Sequence, residues 1–600
     1  MMIFAQLQDA IFGPFREAWQ VIKDVLFSTQ GLILIGLVVA IYVFNLLSPR
    51  KNQLTSGRWA NRQDKFKAVR RAHKQLSSSD ADDVCLWCGS PSQWQAGGLM
   101  ASAMTLINGT PPTVYVPDAN RSAVVIGKAG SGKTFSVIDP MMTSAIEQGH
   151  PILLYDYKAD EYGKGGQLSY LATLAARHGY NVQILAPGRA YSGIVNPLDF
   201  LEDENDSTTA GVLAEVFHKN LTGGNSGRSD AFFGPAGQRL IQALLQYAKS
   251  TQYPDLAMAF SLVQLPGLVE RLSYAAKQDR LPYFVQVNFS QFIQAGASEK
   301  TASGIMATAA DVLTRFIAPD LLRSLLGQTN ISPVLQRKEM LVVQSDIFRQ
   351  DVVNPLLAAI INVVINRNCS VQREHPFIFS ADEFPTIFMP QAPSWPNEHR
   401  SKGFVGIFGF QSFPQIVESY GEQRAKALLS SCSTRFWFNP GDVNTARSYT
   451  DELGEEEVTF QTKSYSRSRG DDWGRNRSVS EQVRTKKLLT PDEVMRFDVG
   501  ECVYINPAYG QLPIHYEQLP VPKADIKLKK ECEGMWETVR DRMIRREQKR
   551  RPDLNMEQQL QLRLKEAERL LPMPPDEEGD SNGSGKGSRK QAEASLPQEF

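Results

Sequence analysis

At 600 residues the chain is too long for a single hydrophobic core, and two or three domains are expected. Lys plus Arg and Asp plus Glu balance at 65 each, which excludes a chain-wide basic field, so any contact with nucleic acid has to be local. Six scattered cysteines exclude a disulfide scaffold and suit a reducing compartment; the one C-x-x-C, Cys85 and Cys88, reads as a buried thiol pair ahead of a zinc or redox site.

In residues 1–24, Phe4, Leu7, Ile11, Phe15 and Trp19 recur near helical spacing, an amphipathic segment suited to a membrane interface. No charged residue occurs between Val25 and Pro49. At about 1.5 Å per residue, Gly31 to Leu47 comes close to the roughly 30 Å of hydrocarbon, so one membrane helix is expected over 25–49, with a second short pass left open. Between Arg50 and Lys74 there are nine Lys/Arg and one Asp, whereas residues 1–24 carry two basic and three acidic residues. That asymmetry places the large C-terminal part in the cytoplasm.

"AVVIGKAGSGKTFSVI" (123–138) fits G-x-x-x-x-G-K-[ST] between a strand and a helix. Gly127, Gly130 and Gly132 let backbone N–H groups wrap phosphates, Lys133 reaches the β/γ oxygens, and Thr134 offers a hydroxyl to Mg2+. ATP and Mg2+ are therefore the expected cofactors. "PILLYDYKADEYG" is a continuous apolar run ending in Asp156, a second buried parallel strand. "NVQILAPG" and "GIVNPLDF" read as further short strands or edges. From about Ser207 to Lys300 the pattern turns helical, with Phe233, Leu240, Ala243, Leu244 and Tyr247 on one face.

Strand patterns return at 339–347, 376–387, 403–413, 433–439 and 500–508, alternating with helices such as 353–366. This predicts a mostly parallel sheet covered on both faces, with ligands at the strand ends. "FIFSADEF" ends one strand on two carboxylates: Asp382, placed to hold a Mg2+ hydration shell, and Glu383, placed to orient or deprotonate water. Gln411 ends the next strand and is placed to report a γ-phosphate. Arg435, in "STRFWF", is the candidate for an arginine reaching a neighbouring subunit's γ-phosphate; the alternative is a structural ion pair. Residues 463–487 hold eight Lys/Arg and three acids around Tyr465 and Trp473, suited either to single-stranded nucleic acid or to a solvated loop. Beyond residue 524 a basic helix, with Arg540, Arg542, Arg545, Arg546, Lys549, Arg550 and Arg551, leads into a polar tail expected to be disordered.

The order of "GKAGSGKT", "DYKADE", "NPLD", "DEFP", "QSFPQIVESYG", "NTARSYTDELG" and "RTKKLLTPDEV" over residues 55–510 resembles the TraG-type coupling proteins of conjugative and type IV secretion systems, relatives of FtsK-like ATPases. The resemblance implies an α/β fold: a RecA-like P-loop NTPase domain with an inserted all-α domain and an N-terminal transmembrane helix. It places the family's phosphate-loop Lys and Thr on Lys133 and Thr134, its acidic pair on Asp382 and Glu383, and its Gln on Gln411. It departs where the family has D-x-K-G-E, since this chain has Asp156, Lys158, Ala159 and Asp160, and where an expected Trp is Phe233.

The boundaries expected are an amphipathic segment at 1–24, the membrane helix at 25–49, a juxtamembrane region at 50–105, and nucleotide-binding parts at 106–205 and 301–523. An all-α insertion occupies 206–300, and a charged helix and tail 524–600. The implied function is that of an inner-membrane, hexameric ATPase that receives a relaxase with single-stranded DNA, or an effector protein, and passes it to channel subunits of the secretion system. Two alternatives stay open: a nucleotide-switched recruitment receptor without motor activity, and an FtsK-like duplex DNA translocase.

Overall fold

The computed structural model describes residues 57–78, 80, 82–89, 113–221, 230–467, 475–519, 521–550 and 554–575. The expected amphipathic segment and membrane helix lie outside them. Among the described residues no helix is long and apolar enough to cross a membrane.

The described residues form two units. The first, which holds Gly454–Leu488, is a long antiparallel hairpin of β10 (Glu455–Arg467) and β11 (Arg475–Lys487), registered from Glu455 opposite Lys487 to Arg467 opposite Arg475. The stretch 463–487, for which a solvated loop is one of two sequence readings, lies in a paired ribbon, apart from residues 468–474, which are outside the described set. Val458, Thr459, Phe460, Tyr465, Val479 and Val483 supply the β-branched and aromatic content that favours extended pairing over a solvated coil.

The second unit holds Arg58–Leu453 and the chain from Leu489 onward. A small ribbon of β1 (Leu86–Cys88) and β2 (Val114–Val116) precedes a nine-stranded sheet. The sheet strands are β3 (Ala123–Ile126), β4 (Ile152–Asp156), β5 (Asn181–Leu185), β6 (Glu339–Gln344), β7 (Phe377–Ala381), β8 (Phe404–Phe410), β9 (Thr434–Trp437), β12 (Cys502–Ile505) and β13 (Ile514–Tyr516). Their order is β13-β12-β9-β3-β8-β7-β4-β6-β5. Seven strands from β9 to β5 run parallel, and β12 and β13 are added antiparallel at one edge. Of the central strands, β3 and β8 are apolar along their whole length and β7 and β4 carry only Ser380 and the terminal Asp156, because helices cover both faces; all seven residues of β8 are buried.

Helices run from Ser207 to Leu325 between β5 and β6, past residue 300. Leu240, Ala243, Leu244 and Tyr247 all face inward on the helix Asp230–Lys249. "GIVNPLDF" is not a strand: the Asn196 side chain accepts a hydrogen bond from Leu198 N and Pro197 opens a single tight helical turn, so the chain curls into the helical insertion. The Cys85 and Cys88 thiols are buried, and burial raises both pKa values well above the thiol range, which keeps them protonated.

The charged C-terminal stretch forms two docked helices, Lys523–Arg550 and Met556–Leu570. Cys532, Trp536 and Met543 enter the main core beside the helix Leu168–Arg177. Trp536 Nε1 donates to Tyr162 O at 2.7 Å, and Lys529 Nζ meets Asp139 Oδ2 at 2.6 Å. On the second helix, Arg563 is buried against Asp255, with Nε 2.9 Å from Oδ1, and Asp255 also caps the helix Leu256–Val263 in the all-α part.

Candidate active site

Four adjacent strands, β3, β8, β7 and β4, end side by side on the same edge of the sheet, with Ile126 beside Phe410, Ala381 beside Phe408 and Tyr155 beside Ala381. Each is followed by one polar segment. β3 leads into the phosphate loop, β8 into Gln411, β7 into Asp382 and Glu383, and β4 into Lys158. This is the carboxyl edge of an α/β sheet, where ligands bind.

The phosphate loop is fixed at its start. Gly127 N donates to Phe410 O at 3.1 Å and Lys128 N to Asn439 O at 2.8 Å. Gly130 and Gly132 adopt φ of +77° and +98°, a backbone that side chains resist, and this turns the loop back on itself. Residues Thr134–Ile138 then form one wide helical turn before the regular helix Asp139–Gln148. Widened turns of this kind are frequent at functional sites.

The charged groups interlock. Lys133, only 4% exposed, donates from Nζ to Glu383 Oε1 at 3.0 Å. Thr134 Oγ1 donates to Asp382 Oδ2 at 2.7 Å. Lys158 Nζ lies 2.9 Å from the same Asp382 oxygen and 3.3 Å from Glu383 Oε1. Burial alone would lower the Lys158 pKa; the Asp382 carboxylate, followed by that of Glu383, overcomes this and raises it. Asp382 Oδ1 and Glu383 Oε2 are buried with no hydrogen-bond partner among the described residues. Orphaned carboxylate oxygens are costly, and here they point to a ligand that completes them.

Asp156 is structural. Its carboxylate accepts from Lys158 N at 2.9 Å, Ala159 N at 3.2 Å and Leu168 N at 2.7 Å, pinning the loop that carries Lys158. Burial raises its pKa against those three N–H groups, which lower it. Gly166 is obligatory there, since a Cβ would sit 2.4 Å from both Asp156 oxygens.

Lys133, Thr134, Glu383, Gln411, Gly130 and Gly132 line one open cleft of about 1030 Å³. Asp382 stands just behind it, bonded to Thr134. Arg435 is not among the lining residues: it sits within β9 opposite Val124, forms an ion pair with Glu452, and donates from Nη2 to Leu429 O at 3.2 Å. Burial lowers its pKa.

Sequence reasoning assigned no role to two parts of the cleft. One is Lys158, whose signal was its place two residues after a strand-end aspartate. The other is the wall of Val499, Gln518, Leu519, Val521 and Ile526, with Phe135 across from it. That wall comes from segments more than 350 residues from the phosphate loop, and no local pattern marks it.

The cleft fits a magnesium nucleotide. Thr134 Oγ1, Asp382 and the orphaned Asp382 oxygen are hard donors of the kind Mg2+ takes with phosphates and water, and the apolar wall suits a base.

Residues 376–499, which include Asp382, Glu383 and Gln411, match the family model described as the TraM recognition site of TraD and TraG. The coupling protein TraD of Escherichia coli (strain K12) is 33% identical over 89 residues, 15% of this chain and 12% of that protein, so the matched stretch spans about an eighth of the curated relative. The bacterial conjugative coupling protein TrwBdeltaN70, in its unbound monoclinic form, superposes with a TM-score of 0.51 at 16% identity, over 68% of this chain and 87% of that one. The plasmid coupling protein TrwB in complex with ADP and Mg2+ gives 0.50 at 16% identity, over 68% and 86%. The structural likeness shows a shared fold, a large mixed α/β sheet, and the matched sequence makes residues 376–499 similar to the corresponding region of TraG-type coupling proteins.

Proposed function

We propose that this protein is a membrane-anchored ATPase that brings a relaxase carrying single-stranded DNA to a type IV secretion channel and drives the transfer. The observation carrying the reading is the contact of Lys133 with Glu383 and of Thr134 with Asp382, residues some 250 positions apart held within 3.0 and 2.7 Å at the end of one sheet. The TrwB complexes with ADP and Mg2+ and with an ATP analogue support nucleotide and metal at such a site. The matched TraM recognition region supports docking of a DNA-processing complex.

In this mechanism Lys133 neutralises the β/γ oxygens, and the loop amides of Gly130 and Gly132 hold the phosphates. Thr134 and Asp382 would hold Mg2+, which when bound would supply charge stabilisation for the leaving diphosphate. Glu383 orients the attacking water and takes its proton as the γ-phosphoryl bond breaks, giving ADP and phosphate. Glu383 is paired to Lys133 in the structure, so phosphate binding to Lys133 has to free the carboxylate first. Gln411, beside the same cleft, reports the γ-phosphate to β8. Arg435 acts across a subunit boundary only if its Glu452 pair opens in a ring, which the proposed hexamer would have to bring about. The apolar stretch 31–47 anchors the protein in the inner membrane, with the described domains cytoplasmic. The basic hairpin 455–487 is the proposed contact for single-stranded DNA.

The test compares Lys133→Ala with Glu383→Gln in the same strains, measuring ATP binding, hydrolysis and DNA transfer. Lys133→Ala is expected to lose nucleotide affinity; Glu383→Gln is expected to bind ATP without turnover; both are expected to abolish transfer. Transfer near the wild-type level by a Glu383→Gln protein that binds but does not hydrolyse ATP would replace the motor with the nucleotide-switched receptor.

A further inference from the structure

The Asp382–Glu383 pair is met by two ammonium groups in different settings. Lys133 is sealed in at 4% side-chain exposure, whereas the Lys158 side chain is 43% exposed and lies along the open cleft. Lys158 Nζ shares Asp382 Oδ2 with Thr134 Oγ1, at 2.9 and 2.7 Å. Those two oxygens are the hard donors that the Mg2+ of a nucleotide complex would take. The lysine charge therefore stands where the metal charge belongs.

The backbone beneath it is rigid and the side chain is not. Asp156 holds Lys158 N and Ala159 N, and Tyr157 OH accepts from Gln350 Nε2 at 3.1 Å. The four-carbon stem above this anchor reaches along the cleft and can swing toward solvent with little loss of packing. Charge balance gives the same picture. Each of the two carboxylates is already paired with a lysine, so a divalent ion entering beside Asp382 meets a resident ammonium at the oxygen it would take unless that ammonium leaves. Lys158 is the one with somewhere to go.

On the reading that the cleft binds a magnesium nucleotide, we propose that Lys158 is a resident cation of the Asp382–Glu383 pair that Mg2+ must displace, so that position 158 sets the metal requirement for nucleotide binding. In this role it is a positioning residue: it keeps the two carboxylates apart and oriented in the metal-free protein, and it competes with the metal.

The experiment titrates Mg2+ against the full-length protein in detergent at a fixed concentration of a fluorescent ADP analogue, with a parallel affinity measurement in EDTA. Lys158→Met and Lys158→Gln are expected to reach half-saturation at about two- to fivefold lower Mg2+ than wild type, the scale of losing one partly exposed ion pair. Lys158→Arg keeps a cation and is expected to stay near wild type. A merely structural role would change analogue affinity equally in EDTA and in Mg2+ and leave the Mg2+ midpoint where it was. An unmoved or raised midpoint in both Lys158→Met and Lys158→Gln overturns the proposal while the nucleotide reading stands. Failure of wild type to bind the analogue at any Mg2+ concentration overturns both.

Discussion

Trp536→Ala tests whether the charged C-terminal helix is part of the nucleotide-binding domain. Trp536 is fully buried, packs edge-on to Tyr191 with ring centroids 6.0 Å apart, and donates to Tyr162 O at 2.7 Å. Truncating a buried Trp to Ala costs about 3–5 kcal/mol, and the lost hydrogen bond accounts for about 1 kcal/mol of that. The void cannot close easily, because Gly163, whose Cβ position would fall 2.7 Å from the Trp536 ring, has no side chain to move in. The expected loss is therefore about 4 kcal/mol. Because Val521 and Ile526 line the cleft, release of the helix also opens the wall proposed for the base and lowers ADP affinity. Urea unfolding gives the energy, limited proteolysis within 524–550 reports release of the helix, and Trp536→Phe, which keeps most of the ring, should lose about half as much. A loss below about 1.5 kcal/mol with an unchanged proteolysis pattern would refute the docking argument.

Replacing Arg467, Arg469, Arg475 and Arg477 with Gln should weaken binding of a labelled single-stranded oligonucleotide and flatten its salt dependence, because each lost phosphate contact releases fewer counterions. An unchanged slope assigns the hairpin to another role. His150 is half-buried, but its Nε2 is enclosed without a hydrogen-bond partner, and burial, reinforced by His375 and Arg337, lowers its pKa to about 4. The folded state therefore favours the neutral ring. Stability from this group is full above about pH 6.5 and is lost as pH falls toward about 4, by about 1–3 kcal/mol. Unfolding curves of wild type and His150→Asn should diverge across that window, and parallel curves would contradict the assignment.

The phosphate loop and the acidic pair were legible because their chemistry is local: glycine spacing, a lysine and two adjacent carboxylates announce themselves wherever the fold puts them. The central strands were legible for a related reason, since a strand buried on both faces has few polar residues to break the run. The hairpin was hidden because charged residues and Ser outnumber the β-branched and aromatic ones in β10 and β11, so no strand pattern stands out from the sequence. The C-terminal helix was legible as a helix, but its docking was not. Its basic residues outnumber and surround Cys532, Trp536, Val539 and Met543, yet those four recur at steps of four, three and four, a narrow stripe packed on the core with Val539 only partly buried. For Arg435 the residue type was informative and the partner was not, because Glu452 is brought to it only by the turn of the helix Val443–Leu453 back over β9.

The two C-terminal helices also change what the ends of the domain mean. Lys529 reaches Asp139, at the start of the helix that follows the phosphate loop; Trp536 closes over the loop that begins at Lys158; Glu547, buried, accepts from Asn330 Nδ2 at 2.8 Å; and Arg563 is sealed against Asp255 in the helical part. Read in chain order, these contacts run from the nucleotide cleft to the all-α helices on a single covalent strap. Asp139 is held by Lys529 on one oxygen and by Gln167 Nε2, at 2.7 Å, on the other, so the helix after the phosphate loop cannot shift without disturbing the strap. A rigid coupling of that kind has two consequences. Removing residues after 523 would not trim a tail but would uncover the core that Trp536 covers and leave Asp139 and Asp255 buried without their ion-pair partners, a costly outcome for a truncation. Movement at the phosphate loop, in turn, has a mechanical route to the helical part that does not pass through the sheet.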